Sequence, residues 1–242
     1  MNFAQISQKI SESGALDFGK IFNETIELFK KVWLQGFITI LLTMVVILPF
    51  YIILYVPMIA MGMMDPYSMD GNEIPPAFLV FLIVYYPIML IGIVTFGMCL
   101  NAAFLRICRL KDLDGFGRDD YFYYFKKEYL YKAFILALIV TGLSILGMLT
   151  CGIGIIYLIV PMSLFPAFFA FDKELTAKEI TKASFALGNK NWLLIFGLIV
   201  VLGLIAQLGI VLCFVGVLFT AMLSKIPVYF IYKEAIGITD AA

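Results

Sequence analysis

From Ala133 to Phe171 the chain runs for 39 consecutive residues without an Asp, Glu, Lys or Arg. As one straight α-helix at about 1.5 Å per residue this stretch would reach roughly 58 Å, nearly twice the roughly 30 Å of a bilayer's hydrocarbon core. It therefore has to cross a membrane, turn and cross back. The turn is predicted at Thr150-Cys151-Gly152-Ile153-Gly154, where two glycines allow a tight reversal without a polar loop.

The rest of the composition agrees. Hydrophobic residues make up 63% of the chain and charged residues 14%, with a mean hydropathy of +1.01, far from the roughly 45–50% and 25% of soluble domains. The 17 basic and 17 acidic residues cancel, so charge imbalance points to no nucleic acid or other polyanionic partner. Histidine is absent, which removes the commonest metal ligand and general base. Cys99, Cys108, Cys151 and Cys213 form no metal-ligand spacing and read as small buried hydrophobes.

In chain order, Met1 to Leu16 contains no apolar run, so no cleavable signal peptide is expected. Over 17–33 the residues Phe18, Ile21, Phe22, Leu28, Phe29 and Val32 recur at three- and four-residue spacing between charges, predicting an amphipathic helix on the membrane surface. A first crossing is predicted over 34–62, kinked by Pro49 and Pro57. The connection Asp65 to Glu73 carries three acids and no base and reads as external. The second crossing, 77–105, ends at Arg106, Arg109 and Lys111, which mark a cytoplasmic boundary.

The cytoplasmic segment 106–132 holds seven bases, five acids and an aromatic block, Tyr121 to Phe125 followed by Tyr129 and Tyr131. That block reads as an interfacial aromatic belt, with a stacking platform for bases or sugars as the functional alternative. The hairpin follows as crossings 133–149 and 153–171. Next comes a second amphipathic helix, 174–188, with Thr176-x-x-Glu179 as its capping box and Gly188 as its expected stop. The last uncharged run predicts a second tight hairpin, 192–211 and 215–232.

An internal repeat supports that hairpin. Leu146-Gly147-x3-Cys151-x2-Gly154 recurs as Leu208-Gly209-x3-Cys213-x2-Gly216, 62 positions on. Cys151 and Cys213 are accordingly expected in matching external turns. Sixteen of the seventeen bases fall on one predicted face and none in the three external connections. The positive-inside rule then places both termini in the cytoplasm. The expected fold is an all-α integral membrane protein of six transmembrane helices in three hairpins, with cytoplasmic amphipathic helices and a repeat between the second and third hairpins.

The pattern Ala183-Ser184-x3-Gly188-Asn189-x2-Trp192 leading into a Gly-rich hairpin resembles the last third of a broad group of uncharacterised bacterial six-helix membrane proteins. That group is similar to the non-catalytic membrane domain of glycerophosphodiester phosphodiesterase fusions. The resemblance implies a membrane domain without chemistry of its own, because the activity of those fusions belongs to a separate soluble barrel.

The expected function is a non-enzymatic protein of the bacterial inner membrane, a scaffold or lipid-interacting partner subunit, with a small transporter or lipid-handling permease as the alternative. No catalytic residue, cofactor or metal is expected. The expected partners are membrane lipids and another membrane protein, with no nucleic acid. Two residues at membrane depth are candidates for an anionic ligand or lipid headgroup. Lys225 is the one charge inside a predicted crossing, roughly 12 Å from the boundary at Lys233 by helical rise. Gln207 is the other candidate. Their structural alternatives are a snorkelling anchor for Lys225 and an interhelical hydrogen bond for Gln207.

Overall fold

The computed structural model describes residues 1–61, 75–113, 115, 117–150, 152–211 and 215–238. The predicted external loop Asp65–Glu73, Cys151 and Cys213 lie outside the described residues. Among the described residues there is no strand. The helices are α1 (Phe3–Glu12), α2 (Phe18–Ala60), α3 (Pro76–Asp112), α4 (Lys127–Leu149), α5 (Ile153–Phe171), α6 (Ala177–Lys190), α7 (Trp192–Gln207), α8 (Val215–Thr220) and α9 (Pro227–Ile236). Short 3-10 turns occupy Tyr123–Phe125, Leu208–Val211 and Ala221–Lys225. Helices α2, α3, α4 and α5, together with the stretch Trp192–Ile210, are long and apolar enough to cross a membrane. The chain is an all-helical, multi-pass membrane protein.

Helix α5 is the packing centre. Half of its most apolar window is buried, against 6% for α2 and 11% for α3. Phe165, Phe168 and Phe169 of α5 meet Phe104 of α3 and Tyr229, Phe230 and Tyr232 of α9 in one core. At the other end of the α2–α3 pair, Val56, Ile59 and Ile83 stand exposed, an apolar surface suited to acyl chains.

The amphipathic stretch 17–33 differs from its predicted placement. It does not lie apart as a surface helix but is the first third of α2, an unbroken helix of 43 residues capped by Asp17, whose carboxylate accepts from the Lys20 N–H. The buried positions Ile21, Thr25, Leu28, Val32, Gly36 and Thr39 follow one stripe down the helix. That stripe is satisfied by protein, so the helix has no reason to bend into the interface plane. At about 1.5 Å per residue α2 is roughly 64 Å long, about twice a hydrocarbon core, and one end must project beyond it.

The chain reverses between α4 and α5 with Gly152 at φ 81°, a left-handed conformation that favours glycine. The Thr150 hydroxyl accepts from the Gly154 N–H at 2.9 Å and donates to the Gly147 carbonyl at 2.7 Å. Downstream, a Cβ on Gly209 would stand 2.6 Å from the Gly216 carbonyl carbon.

The expected crossing 215–232 is not one helix. It is assembled from α8, the turn Ala221–Lys225 and the start of α9, each shorter than the roughly 20 residues a span needs. Pro227 cannot donate to the preceding turn. The Thr220 hydroxyl meanwhile donates to the carbonyls of Ala206, at 2.5 Å, and Gly216, at 3.1 Å.

The capping box at Thr176 and Glu179 forms as expected. Gly188 does not stop α6, which continues to Lys190. A Cβ there would lie 3.1 Å from Pro161 Cα, so the glycine serves a close helix crossing instead. Helix α1 was not expected. Asn2 and Gln5 form its capping box, and Ile6 and Ile10, one turn apart, are buried.

Candidate functional site

Charged side chains tie one end of the bundle into a polar layer. Lys190 of α6 donates to the carbonyls of Ile10, Ser11 and Ser13, and Lys9 of α1 donates to Ile236 of α9. Lys20 of α2 pairs with Glu234 at 2.8 Å. Asp112, at the end of α3, accepts from Tyr229 at 2.7 Å and from Lys233 at 2.5 Å. Lys111 pairs with Asp119 at 3.4 Å. The connector after α3 thus shares an end with α1, α6, the start of α2 and the end of α9.

A cavity of about 410 Å³ opens in this layer, lined among others by Arg106, Arg109, Tyr123, Asp172, Lys173 and Tyr232. Its lining comes from the end of α3, the 3-10 turn of the connector, the end of α5 and the residues after it, which include the acids Asp172 and Glu174, from α9 and from Met1. The Arg106 guanidinium sits over the Tyr123 ring, 4.0 Å from its centroid, with the ammonium groups of Lys126 and Lys173 at 5.0 and 5.7 Å. Three cations from three segments thus converge on one ring. A hydrogen bond from Tyr129, and then the charges of Lys173 and Arg106, hold the Tyr123 hydroxyl below its ordinary range, against burial.

Beneath it the fully buried Tyr124 donates to the Ala170 carbonyl at 2.8 Å. Asp172 is 2% exposed and accepts from Tyr232 at 2.5 Å. Its other oxygen lies 3.9 Å from the Met1 amino nitrogen. Burial pushes the Asp172 carboxyl up, and the Tyr232 hydrogen bond opposes that.

The two sequence candidates lie elsewhere. Lys225 and Gln207 are both exposed on the outside of the bundle, and neither lines the cavity. Lys225 ends the 3-10 turn before α9, two residues ahead of Pro227. Ser144 donates within its own helix to Val140 and Thr220 across to Ala206, while the Thr141 hydroxyl is buried with no hydrogen-bond partner among the described residues.

The aromatic block divides. Phe122 and Tyr131 face outward, as a belt would. Tyr124 is core, and Phe125 stacks on Phe96 with centroids 5.7 Å apart. The inward half packs the connector against α3 and α5. Among the described residues, no three His, Cys, Asp or Glu side chains group as metal ligands.

No local sequence pattern marks the cavity. Arg106, Tyr123 and Lys173 are far apart in the chain, and the one signal was a dense aromatic block between two runs of bases. Fold and site together define a multi-pass helical membrane protein with a cationic, aromatic-lined cavity at its polar end. The sequence matches no protein-family model, no curated protein and no solved structure.

Proposed function

We propose that the protein is a non-enzymatic component of the bacterial inner membrane, a scaffold or lipid-interacting partner subunit. It crosses six times with both termini in the cytoplasm, the discontinuous α8–α9 segment making the last crossing. The observation that carries this reading is the one-ended polar layer. Helices α1 and α6, the start of α2, the end of α3 and the end of α9 are clamped together by Lys190, Lys9, Lys20 and Lys233. A surface so braced, beside helices whose outer faces are apolar, suits docking at the membrane face better than turnover. The equivalence of Gly147/Gly154 with Gly209/Gly216 supports a duplicated hairpin, since a Cβ on Gly154 would meet the Gly147 backbone and a Cβ on Gly209 the Gly216 backbone. This is the kind of membrane domain without its own chemistry that the sequence resemblance implies.

The break at Ala221–Lys225 favours a second reading, a small transporter or lipid-handling permease, because discontinuous helices build midplane binding sites in transporters. Purification in mild detergent separates the two readings. The scaffold reading expects a stoichiometric partner that is lost when α1 is deleted. Substrate uptake by proteoliposomes containing the protein alone would establish the transporter instead.

A further inference from the structure

We infer that the cavity between α3, the connector, α5 and α9 binds a phosphoryl anion, carried by a phospholipid headgroup or by a free phosphate ester. Arg106 and Lys173 line the cavity, Lys126 stands beside it, and all three converge on Tyr123; among the described residues none of the three has a carboxylate within 4.0 Å. Like charges gathered around one ring repel one another unless an anion joins them.

The acceptors that line the cavity meet other donors: the Glu174 carboxylate, on its exposed rim, lies 3.4 Å from the Met1 amino nitrogen. Tyr232 donates to Asp172 and Tyr124 to Ala170. The Lys173 carbonyl takes the Lys132 ammonium, and the Phe168 carbonyl takes the Asp172 N–H. At the end of α3, the Arg109 and Leu110 carbonyls are met by the N–H groups of Leu113 and Gly115. The cations are therefore not needed as caps for these helix ends.

A planar guanidinium offers paired donors that match phosphate oxygens, and two flexible ammonium groups can close around them. The cavity's 410 Å³ falls in the roughly 300–1,000 Å³ range of small-molecule sites. Its position just past the ends of two spanning helices is the depth at which lipid phosphates lie. The inference rests on the proposal that this end of the bundle meets a headgroup layer.

The test uses the full chain in phosphatidylcholine nanodiscs doped with phosphatidylglycerol, with bound phosphatidylglycerol counted by native mass spectrometry. Lys126→Gln combined with Lys173→Gln removes two exposed charges whose side chains meet the Tyr123 ring but form no ion pair among the described residues. Arg106→Gln removes the third charge. Lys178→Gln with Lys182→Gln, on the exposed face of α6, is the control. Each of these three neutralised charges should lower retention about five-fold, and the control should not. In a second arm, glycerol 3-phosphate is added to protein in a neutral detergent and melting is followed.

Retention that depends on the cavity residues, with no melting shift, assigns a headgroup. A melting shift lost in the cavity variants assigns a soluble phosphate ester. If neither retention nor melting depends on Arg106, Lys126 and Lys173, the inference is overturned while the scaffold reading stands. Failure of the protein to enter nanodiscs would remove both.

Discussion

Lys190 donates to the Ile10 carbonyl at 2.6 Å, joining the last turn of α6 to the end of α1 across 180 positions of sequence. The same ammonium reaches the carbonyls of Ser11 at 3.0 Å and Ser13 at 2.6 Å. It acts as a cationic cap on the negative end of α1.

Lys190→Met should therefore release α1 while leaving the membrane helices folded. Hydrogen bonds to charged groups contribute about 1.5–3 kcal/mol, and exposure reduces that here to about 1 kcal/mol. Hydrogen exchange should accelerate over residues 3–12 with little change in α4 and α5. Unchanged protection of α1 would show that Ile6 and Ile10 hold it alone.

Two glycines of the third hairpin should respond differently to alanine. On Gly209 a Cβ would stand 2.6 Å from the Gly216 carbonyl carbon, and a backbone atom cannot swing aside. Gly209→Ala should lower stability by about 1–3 kcal/mol through overpacking. A Cβ on Gly203 meets nothing within 4 Å, so Gly203→Ala should be neutral or slightly stabilising, alanine being the better helix former. Thermal melting in detergent compares the two, and equal losses would contradict the close approach.

Tyr123 should ionise first among the tyrosines of the connector, because Tyr129, Lys173 and Arg106 lower its pKa from 10.0. Burial moves Tyr124 up, and it takes Tyr121, with the Asp119 charge added, up to about 12. With a folded pKa below the unfolded value, the phenolate's contribution to stability is present above about pH 10 and is lost as pH falls through the folded pKa. At neutral pH it contributes nothing. In a spectroscopic titration, Tyr123→Phe should remove the earliest tyrosinate absorbance, and an unchanged onset would contradict the convergence of cations.

Uncharged runs and their flanking bases made the five long apolar helices legible, and α5 occupies the residues 153–171 read from the sequence, whereas 215–232 is not one helix. The capping box at Thr176 was equally clear because its signal is local. Helix α1 was hidden because only Ile6 and Ile10 mark its buried side, and their partners come from α6 and α9. The continuity of α2 was hidden by its change from an amphipathic to a wholly apolar pattern. That change records what surrounds the helix, not where it ends. Gly188 looked like a stop because a helix-ending glycine and a helix-crossing glycine are alike in sequence. The cavity joins Arg106, Tyr123 and Lys173 through the packing of α3 against α5, which no local spacing encodes.

The orientation of the polar layer decides the account as a whole, and a paired reporter fusion measures it most directly. An enzyme active only in the periplasm, joined after Ala242, should be silent, because α9 ends beside Lys9 and Lys20 in the basic layer assigned to the cytoplasm. The same enzyme inserted within residues 65–73, which carry acids and no base, should be active. Activity at the C-terminus together with silence at the loop would invert the topology and contradict a cytoplasmic docking face.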